Sequence, residues 1–303
     1  MPKSNKIILN ALLFLLIAAF GYYVICSMMR ENRPVLSDNK HLNTAFVSLY
    51  QETISFYTDS DIVCFDIFNN TIYAVLSKTI SVFELNGRHL YDFSIETGVR
   101  DMVVEDTTIW LLYPTRLERF SLQGQKQGGW EACSPLCDYC ALTTTQDYVY
   151  VTDAENKNIV QYDKLGGLVR FIKSPQGFII PSTSFDVINI NDTLYCANSG
   201  RHQIESYTLE GAFIAAFGVA GAEEGAFMGC CNPSYLAKSA DGSLLTSEKG
   251  NPRISCYKRD GTFCTTLFDA KALGEGTTAY RLTVWGESIY IAHKKTITKY
   301  EIP

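Results

Sequence analysis

One pattern of residues occurs twice in the second half of the chain. Residues 194–217 read LYCANSGRHQIESYTLEGAFIAAF, and residues 244–267 read LLTSEKGNPRISCYKRDGTFCTTL. Each copy contains three short runs in which apolar and polar residues alternate, separated by turns rich in Asn, Asp and Gly. Such runs are typical of antiparallel β-hairpins. A repeated unit of about 40 to 50 residues with four such strands is typical of a β-propeller blade.

The second strand of this unit can be followed along the chain in six copies. They start 37 to 50 residues apart and cover residues 72–75, 109–112, 149–152, 194–197, 244–247 and 289–292. The sequence therefore predicts an all-β fold, a six-bladed β-propeller. The sixth copy ends at Pro303 after its third strand. We expect Phe46–Tyr57, an alternating run before the first complete blade, to supply the missing strand, because ring closure removes exposed strand edges.

Length and composition narrow the function classes. The chain has 303 residues, of which 47% are apolar, and its Tyr and Phe content suits the half-buried faces of β-sheets. Its formal net charge is −6. Because a surface that binds nucleic acid must be basic, we do not expect nucleic acid as a partner. A closed all-β fold of this length forms one large domain.

An apolar segment lies at residues 7–29. As a helix rising about 1.5 Å per residue it can cross a hydrocarbon core of about 30 Å, so we predict one N-terminal transmembrane helix. A cleaved secretory signal is the alternative, but the apolar region of such a signal is usually shorter, about 7 to 15 residues. Lipid attachment at Cys26 is a further alternative, which the large Ile25 before it disfavours.

Charges on either side of this segment predict its orientation. Lys3 and Lys6 precede it and favour an N-terminus inside the cell, although Arg30 and Arg33 follow it and weaken the asymmetry. The propeller is then extracytoplasmic, in the bacterial periplasm. We divide the chain into a cytoplasmic tip with the membrane anchor at 1–30, a polar linker at 31–43 and the propeller at 44–303.

The turn after the second strand carries a recurring motif, an acidic or amide residue followed by a Gly or Asn turn, a polar residue and then Ile-x-x-Tyr. It is clearest at Thr152–Ile159 and at Asn198–Tyr207. With these residues the chain resembles the NHL repeat over about residues 60–303, strongly in blades three to five and weakly in blades one, two and six. It is similar to membrane-anchored bacterial members that carry Phe227–Pro233, which reads FMGCCNP, ahead of Thr246–Gly250.

This resemblance implies a propeller that is used mainly for binding. Some members of the family act as lyases on peptide ends and rely on metal-binding histidines inside the channel. In the predicted propeller, His89, His202 and His293 map to turns and not to an inner strand. We therefore do not extend the lyase activity to this chain.

Five cysteines lie in two connections between blades. Cys133, Cys137 and Cys140 precede the third blade, and Cys230 and Cys231 precede the fifth. Both connections lead into an innermost strand, so we expect Cys140 and Cys231 near the same mouth of the channel. The five thiols could ligate a soft metal or an iron–sulfur cluster, or form disulfides in an oxidising compartment, or remain inert. The spacing of the first three also matches the radical S-adenosylmethionine motif, whose α/β barrel this sequence does not predict.

A second candidate site comes from aligning the innermost strands. Asp66, Asp101 and Asp186 occupy similar positions within about two residues, so three carboxylates face one channel, with Arg281 as an internal counter-charge. Converging carboxylates can bind a cation or a basic ligand. The alternative is that each carboxylate accepts N–H bonds from its own strand or turn. Three further residues at the ends of the second strands are interpreted as hydrogen-bonding residues between blades: Asp153, Asn198 and Glu248.

No catalytic constellation stands out in the sequence: there is no nucleophile beside a base, no phosphate-binding loop and no paired acid. We therefore expect a binding or scaffold module, not an enzyme, which holds a protein, peptide or glycan on one propeller face at the membrane surface. This expectation rests on the family resemblance, and we predict no cofactor. The alternative is a domain that carries a thiolate-bound metal or iron–sulfur cluster and associates with a membrane electron-transfer complex.

Overall fold

The computed structural model describes residues 49–274 and 276–303. All its strands belong to six four-stranded antiparallel sheets, which are the blades of the propeller. The predicted six-bladed all-β fold is confirmed. The predicted transmembrane helix and linker lie outside the described residues. Within the described ranges, no helix combines the length and the hydropathy that a membrane crossing needs.

The first three blades each follow the chain from the innermost strand to the outermost strand. Their strands, numbered after β1 at Gln51–Tyr57, are β2 Cys64–Phe68, β3 Thr71–Val75, β4 Thr79–Glu84, β5 His89–Ser94, β6 Asp101–Glu105, β7 Thr108–Tyr113, β8 Arg116–Ser121, β9 Lys126–Glu131, β10 Tyr139–Thr144, β11 Tyr148–Asp153, β12 Asn158–Asp163 and β13 Leu168–Ile172.

The last three blades keep this order, and a short 3₁₀ helix at Ser199–Arg201 follows the second strand of blade four. Their strands are β14 Val187–Ile190, β15 Thr193–Asn198, β16 Gln203–Thr208, β17 Phe213–Phe217, β18 Tyr235–Lys238, β19 Leu244–Glu248, β20 Arg253–Tyr257, β21 Phe263–Phe268, β22 Arg281–Trp285, β23 Ser288–His293 and β24 Thr296–Glu301.

The ring closes through β1, which is the outermost strand of the sixth blade. It pairs antiparallel with β24, and Phe56 lies opposite Ile297 while Glu52 lies opposite Tyr300. This is the pairing that the missing strand of the sixth copy predicts, for the part of Phe46–Tyr57 that the structure describes. The sixth sheet thus contains residues from both ends of the described chain.

The turns between the third and fourth strands connect each blade to the one before it. Gly87 has φ +84°, and a Cβ atom there would lie 2.6 Å from Cγ of Phe56 on β1. Only a residue without a side chain fits this close contact and the positive φ. Four more turn glycines have the same relationship to an apolar residue on the preceding outermost strand: Gly124 with Phe93, Gly166 with Trp130, Gly211 with Ile172 and Gly261 with Phe217.

The apolar core lies between neighbouring blades and not within one sheet. One cluster joins Tyr73 and Val75 of blade one to Ile109 and Leu111 of blade two. Another joins Tyr290 of blade six to residues of blade one, so the packing is continuous where the ring closes. Because each blade buries its two faces against its neighbours, the innermost strands are left to line a central channel.

Candidate functional site

Six residues, one from each blade, occupy the same register position on the innermost strands. Cys64 lies opposite Val75, Asp101 opposite Leu112, Tyr235 opposite Ser247 and Arg281 opposite Ala292. In blades three and four, this position is occupied by Ala141 and Asp186, respectively. We call these six residues the channel belt.

Asp101 and Asp186 share this position, and Asp66 lies two residues away, which is within the range of about two residues that the sequence alignment allowed. Asp66 lies opposite Tyr73, farther along β2 than the belt position that Cys64 occupies. Tyr235 was missed because its blade has no acidic residue at this position. Counting back from Glu248 at the end of the second strand, β19, would have found Tyr235, since β18 and β19 pair without a bulge.

The three aspartates tie neighbouring blades together. Oδ2 of Asp66 accepts a 2.8 Å hydrogen bond from the backbone N–H of Val104 in blade two. Oδ2 of Asp101 accepts one of 3.0 Å from Leu142 in blade three. Oδ2 of Asp186 accepts one of 2.7 Å from Leu236 in blade five. Each bond crosses from one innermost strand to the next, so these carboxylates hold the channel wall together.

The other oxygens of these aspartates are also engaged. Oδ1 of Asp66 and of Asp186 each accept the N–H of the next residue, at 2.8 Å and 2.9 Å. Oδ1 of Asp101 instead accepts Nη1 of Arg281 at 3.0 Å. Asp66 and Asp186 thus accept N–H bonds from their own strands, as in the alternative given by the sequence, and all three aspartates also accept bonds from neighbouring blades.

Arg281 reaches across the channel belt. Its Nη2 donates to the carbonyl oxygen of Arg100 at 2.9 Å, and its guanidinium carbon lies 4.1 Å from the ring centre of Tyr235. The side chains of Arg281 and Asp101 are only 20% and 10% exposed, so their ion pair is shielded from water. Arg281 is the counter-charge that the sequence predicts, and its partner is Asp101.

Burial sets the charge state of the channel. It raises the pKa of Asp66 to about 7, although the N–H groups of Val104 and Ile67 oppose the rise. Burial, together with repulsion from Asp101, raises the pKa of Asp186 to about 7, and Arg281 acts in the opposite direction. Burial also raises the pKa of Asp101 despite the guanidinium beside it. Removing water from around a carboxylate disfavours its charged form.

Two cavities meet at the channel belt. The wider one has a volume of about 470 Å³, and its wall includes Asp66, Asp101 and, near its rim, Lys238 and Ala240. The narrower one has a volume of about 200 Å³ and is lined by residues at the beginnings of the innermost strands, which include Arg100, Cys140, Thr183 and Ser234. Asp186, Tyr235 and Arg281 line both cavities. The belt therefore divides a wide end of the channel from a narrow end.

Three residues at the ends of second strands have a different role from the one expected. Asp153 accepts the N–H of Asp138, Asn198 accepts that of Ile179, and Glu248 accepts that of Met228. Each donor lies in the connection that leads into the same blade. These residues therefore fasten a blade to its own incoming connection, and the prediction that they bond blade to blade is wrong.

The five candidate cysteines form two pairs and one single thiol. Sγ of Cys133 lies 3.7 Å from Sγ of Cys137, and Sγ of Cys230 lies 2.8 Å from Sγ of Cys231. Cys140 lies within β10, donates to the carbonyl oxygen of Asp138 and lines the narrow cavity. Burial raises the pKa of the Cys140 thiol to about 12, so it is protonated at neutral pH.

An iron–sulfur cluster or a soft metal needs several donor atoms around one centre. Among the described residues, no three side chains of His, Cys, Asp or Glu are grouped so that they could hold a metal ion. The thiols lie as two pairs and one single thiol, and the metal-carrying alternative stays a prediction from the residues. The three aspartates are likewise engaged with N–H groups and with Arg281, and they do not form such a group.

The three histidines of the described residues lie away from the channel. His89 begins β5 and His293 ends β23, so the expectation that they map to turns is wrong for these two residues. His202 caps the 3₁₀ helix, in agreement with its expected place. None of the three contributes to the wall of the wide or the narrow cavity.

Comparison with known sequences leaves the family of this chain open. No family model matches it, and no curated protein matches it. The resemblance to the NHL repeat and to members that carry Phe227–Pro233 therefore stays a prediction from the residues.

Comparison with solved structures shows the fold. The chain is similar to virginiamycin B lyase from Staphylococcus aureus, with 13% identity, 84% of this chain and 100% of that chain covered, and a TM-score of 0.60. It is similar to the Pan2 WD40 domain of Neurospora crassa, with 8% identity, 84% and 95% covered, and a TM-score of 0.56. It is also similar to a protein of unknown function from Bacteroides thetaiotaomicron, with 12% identity, 84% and 74% covered, and a TM-score of 0.57. At such identities the likeness extends to the β-propeller fold and no further.

Proposed function

We propose that this protein is a non-enzymatic binding module. Its propeller holds a polar segment of a protein, peptide or glycan at the wide end of the channel. The N-terminal segment at 7–29 anchors it in a membrane, with the propeller on the extracytoplasmic side.

The observation that carries this proposal is the state of the channel carboxylates. Both oxygens of Asp66, Asp101 and Asp186 accept hydrogen bonds from backbone N–H groups or from Arg281. Carboxylates held in this way form a fixed wall. A general acid or base must be within hydrogen-bond reach of a substrate proton and free to exchange it, which suits these three poorly.

The wide cavity has the properties of a recognition site. A volume of about 470 Å³ lies within the usual range of ligand pockets, which is roughly 300 to 1,000 Å³. Its wall combines apolar side chains such as Met102 and Leu282 with polar groups such as Thr143 and Asn189. Such a mixture allows apolar contact to contribute affinity while a few polar groups orient the ligand.

The proposal can be tested by cross-linking at the two ends of the channel. A photoreactive amino acid is placed at Ala240, an exposed residue at the wide cavity, and in a second variant at Thr183, an exposed residue at the narrow cavity. After illumination of cells that produce the full chain, we expect a discrete cross-linked product from position 240 that is absent from position 183. A chain that carries the photoreactive amino acid at Thr283, another residue of the wide cavity, should also form a cross-linked product. Adding the Ala240→Arg substitution to that chain should abolish its product. Equal products from both ends would contradict binding at the wide end.

The membrane part of the proposal has its own test. Protease added to cells whose outer envelope has been opened should degrade the propeller, whereas a cytoplasmic marker protein stays intact. A variant without residues 1–30 should leave the membrane fraction. A propeller that is protected until the inner membrane is dissolved would contradict the proposed orientation.

A further inference from the structure

The connection between β17 and β18 carries two adjacent thiols with different surroundings. Cys230 is exposed and Cys231 is buried, and their Sγ atoms lie 2.8 Å apart. An exposed thiol can meet another molecule, while the buried thiol behind it can reach only its neighbour. We propose that Cys230 and Cys231 are a site of reversible thiol–disulfide exchange, whose oxidised form is a disulfide between the two adjacent residues.

The side chain of Asn232 holds the backbone around the two cysteines. Asn232 is fully buried, and its Nδ2 donates to the carbonyl oxygens of Met228 and Lys249 at 2.6 Å and 2.9 Å. Its Oδ1 accepts the N–H of Lys249 at 2.9 Å. Met228 and Asn232 flank the two cysteines, so this side chain keeps the thiols together whether or not they are bonded to each other.

The backbone conformation at Cys231 also helps to hold the two sulfur atoms side by side. Cys231 has φ +64°, a left-handed conformation that is uncommon for residues other than Gly, Asn and Asp. Such conformations persist only where the surrounding structure enforces them, and they cluster at functional sites. Here the enforcing contacts come from Asn232 and place the two sulfurs side by side.

A fixed cation lies beside the buried thiol. Nζ of Lys249 is 3.3 Å from Oγ of Ser184 and 3.5 Å from Oγ of Ser182. Burial and the hydrogen bond with Cys230 raise the pKa of Cys231, whereas the Ser182 hydroxyl and the Lys249 ammonium group oppose that rise. The thiolate is the reactive form in exchange, and a neighbouring ammonium group stabilises it.

The reaction needs a disulfide as its oxidant. The Cys230 thiolate attacks one sulfur of an external disulfide, a mixed disulfide forms at Cys230, and the other half leaves as a thiol. The Cys231 thiolate then attacks Sγ of Cys230 and releases the second external thiol. Two protein thiols and one external disulfide become one protein disulfide and two external thiols, so atoms and electrons balance. The oxidant is a small disulfide or the disulfide of an oxidoreductase.

The pair is in direct contact with the narrow end of the channel. Oγ of Ser234 donates to the carbonyl oxygen of Cys231 at 3.4 Å and to Oδ1 of Asn232 at 3.2 Å. Ser234 is part of the wall of the narrow cavity. The exchange site is thus distinct from the wide cavity of the proposed binding function and does not depend on it.

Cys133 and Cys137 provide an internal reference. They are also one exposed and one buried thiol, but their sulfurs are 3.7 Å apart and no lysine acts on the pKa of Cys137. Burial and the neighbouring Asp153 carboxylate raise the pKa of Cys137 to about 12. We therefore expect this pair to exchange more slowly than Cys230 and Cys231 in the same molecule.

The experiment exposes the reduced, purified full chain in detergent to mixtures of oxidised and reduced glutathione. Samples are quenched with acid and alkylated, and the peptides are analysed by mass spectrometry. We expect Cys230 and Cys231 to lose alkylation together and to form a disulfide within one peptide, before Cys133 and Cys137 react. The reaction should reverse when reduced glutathione is in excess.

Two single variants separate the roles of the thiols. Cys231→Ser should accumulate a mixed disulfide with glutathione at Cys230, which the unaltered protein resolves. In Cys230→Ser, the buried Cys231 should stay reduced. Lys249→Met should slow formation of the disulfide between Cys230 and Cys231 several-fold at neutral pH, while a Lys258→Met control at an exposed position of the same blade leaves the rate unchanged. Circular dichroism checks the fold of each variant, and the unaltered chain suffices if Cys231→Ser does not fold.

Two outcomes for the unaltered chain would overturn the proposal. In one, both thiols remain alkylated at the most oxidising glutathione ratio. In the other, the unaltered chain accumulates the same mixed disulfide at Cys230 as Cys231→Ser does, which shows that Cys231 cannot resolve it.

Discussion

Nη1 of Arg281 on β22 donates a hydrogen bond of 3.0 Å to Oδ1 of Asp101 on β6. β22 belongs to blade six and β6 to blade two, and blade one lies between these two blades in the ring. Cys64 occupies the belt position of that first blade. The hydrogen bond therefore connects blades six and two directly. The ring thus has a further connection across its closure besides the pairing of β1 with β24.

We expect Arg281→Met to be strongly destabilising. The substitution leaves the Asp101 carboxylate in a shielded channel without its counter-charge, and breaking a buried pair by removing one partner typically costs about 3 to 5 kcal/mol. Because these side chains are 20% and 10% exposed, we expect the lower part of that range. Urea unfolding of the purified propeller measures the change.

The matched control for this prediction is Arg88→Met. The pair of Arg88 with Glu84 lies on the surface, where water and salt screen it, so we expect little change in stability. A double variant, Arg281→Met with Asp101→Asn, should recover part of the loss because it removes the unpaired charge. Equal losses in the Arg281 and Arg88 variants would show that the channel pair is as well solvated as the surface pair.

Stability should depend on the protonation of Asp66 and Asp186. Burial raises the pKa of each to about 7 in the folded protein, whereas an unfolded chain has a value near 3.9. The folded state thus binds more protons than the unfolded state between about pH 4 and about pH 7. Since stability falls with pH where the folded state holds more protons, their contribution decreases through this window and levels off above about pH 7.

The Asp186→Asn variant tests this dependence because an amide cannot titrate. Its unfolding free energy should decrease less steeply than that of the unaltered protein as the pH rises from about 5 to about 7. A carbon NMR titration of the Asp side chains gives the same information directly. Identical slopes for the two proteins, or a carboxyl of Asp186 that titrates at its ordinary value, would contradict the prediction.

Gly87→Ala should destabilise the closure of the ring. Both the positive φ of +84° and the approach of Phe56 oppose a Cβ atom at this position. The left-handed conformation alone costs a side chain about 1 to 2 kcal/mol, and forcing extra volume into a packed contact costs about 1 to 3 kcal/mol more. Thermal unfolding of the variant measures the sum.

Gly98→Ala separates the two contributions. Gly98 has φ +93°, but a Cβ atom there would meet nothing within 4 Å. This variant should therefore lose only the conformational part. If the two alanine variants unfold at the same temperature, the contact between the turn at Gly87 and β1 contributes nothing to closure.

Asn198→Ala should release the connection that enters blade four. Oδ1 of Asn198 accepts the N–H of Ile179 at 2.9 Å, and its Nδ2 donates to Oε1 of Glu205 at 2.7 Å. Leaving a buried partner unsatisfied costs about 1 to 3 kcal/mol, and amide hydrogen exchange at Ile179 should accelerate. Asn251→Ala is the control, since that asparagine lies in an exposed turn and its loss should change stability by less than about 0.5 kcal/mol. Unchanged exchange at Ile179 would disprove the fastening role of Asn198.

The hydrogen-bond partners of the polar residues at strand ends cannot be predicted from a single sequence. Asp186 and Asn198 are both small acceptors at strand ends, and nothing in their local sequence says which one reaches a neighbouring blade. The structure assigns the bond between blades to Asp186 and the bond within the blade to Asn198. That distinction depends on the distance between adjacent innermost strands, which only the assembled ring sets.

The sequence by itself determined the number of blades, the strands within them and the segment that holds the closing strand, Phe46–Tyr57, of which β1 occupies Gln51–Tyr57. These follow from alternation, turn residues and a count of strands, which are local properties that each segment carries wherever it lies. The tertiary structure alone decided which side chains share a level in the channel. Asp66 lies two residues beyond the belt position, which Cys64 occupies in its strand. Arg281 meets Asp101 because ring closure brings blades six and two together. Contacts between residues 180 positions apart depend on the geometry of the whole ring, so no local pattern encodes them.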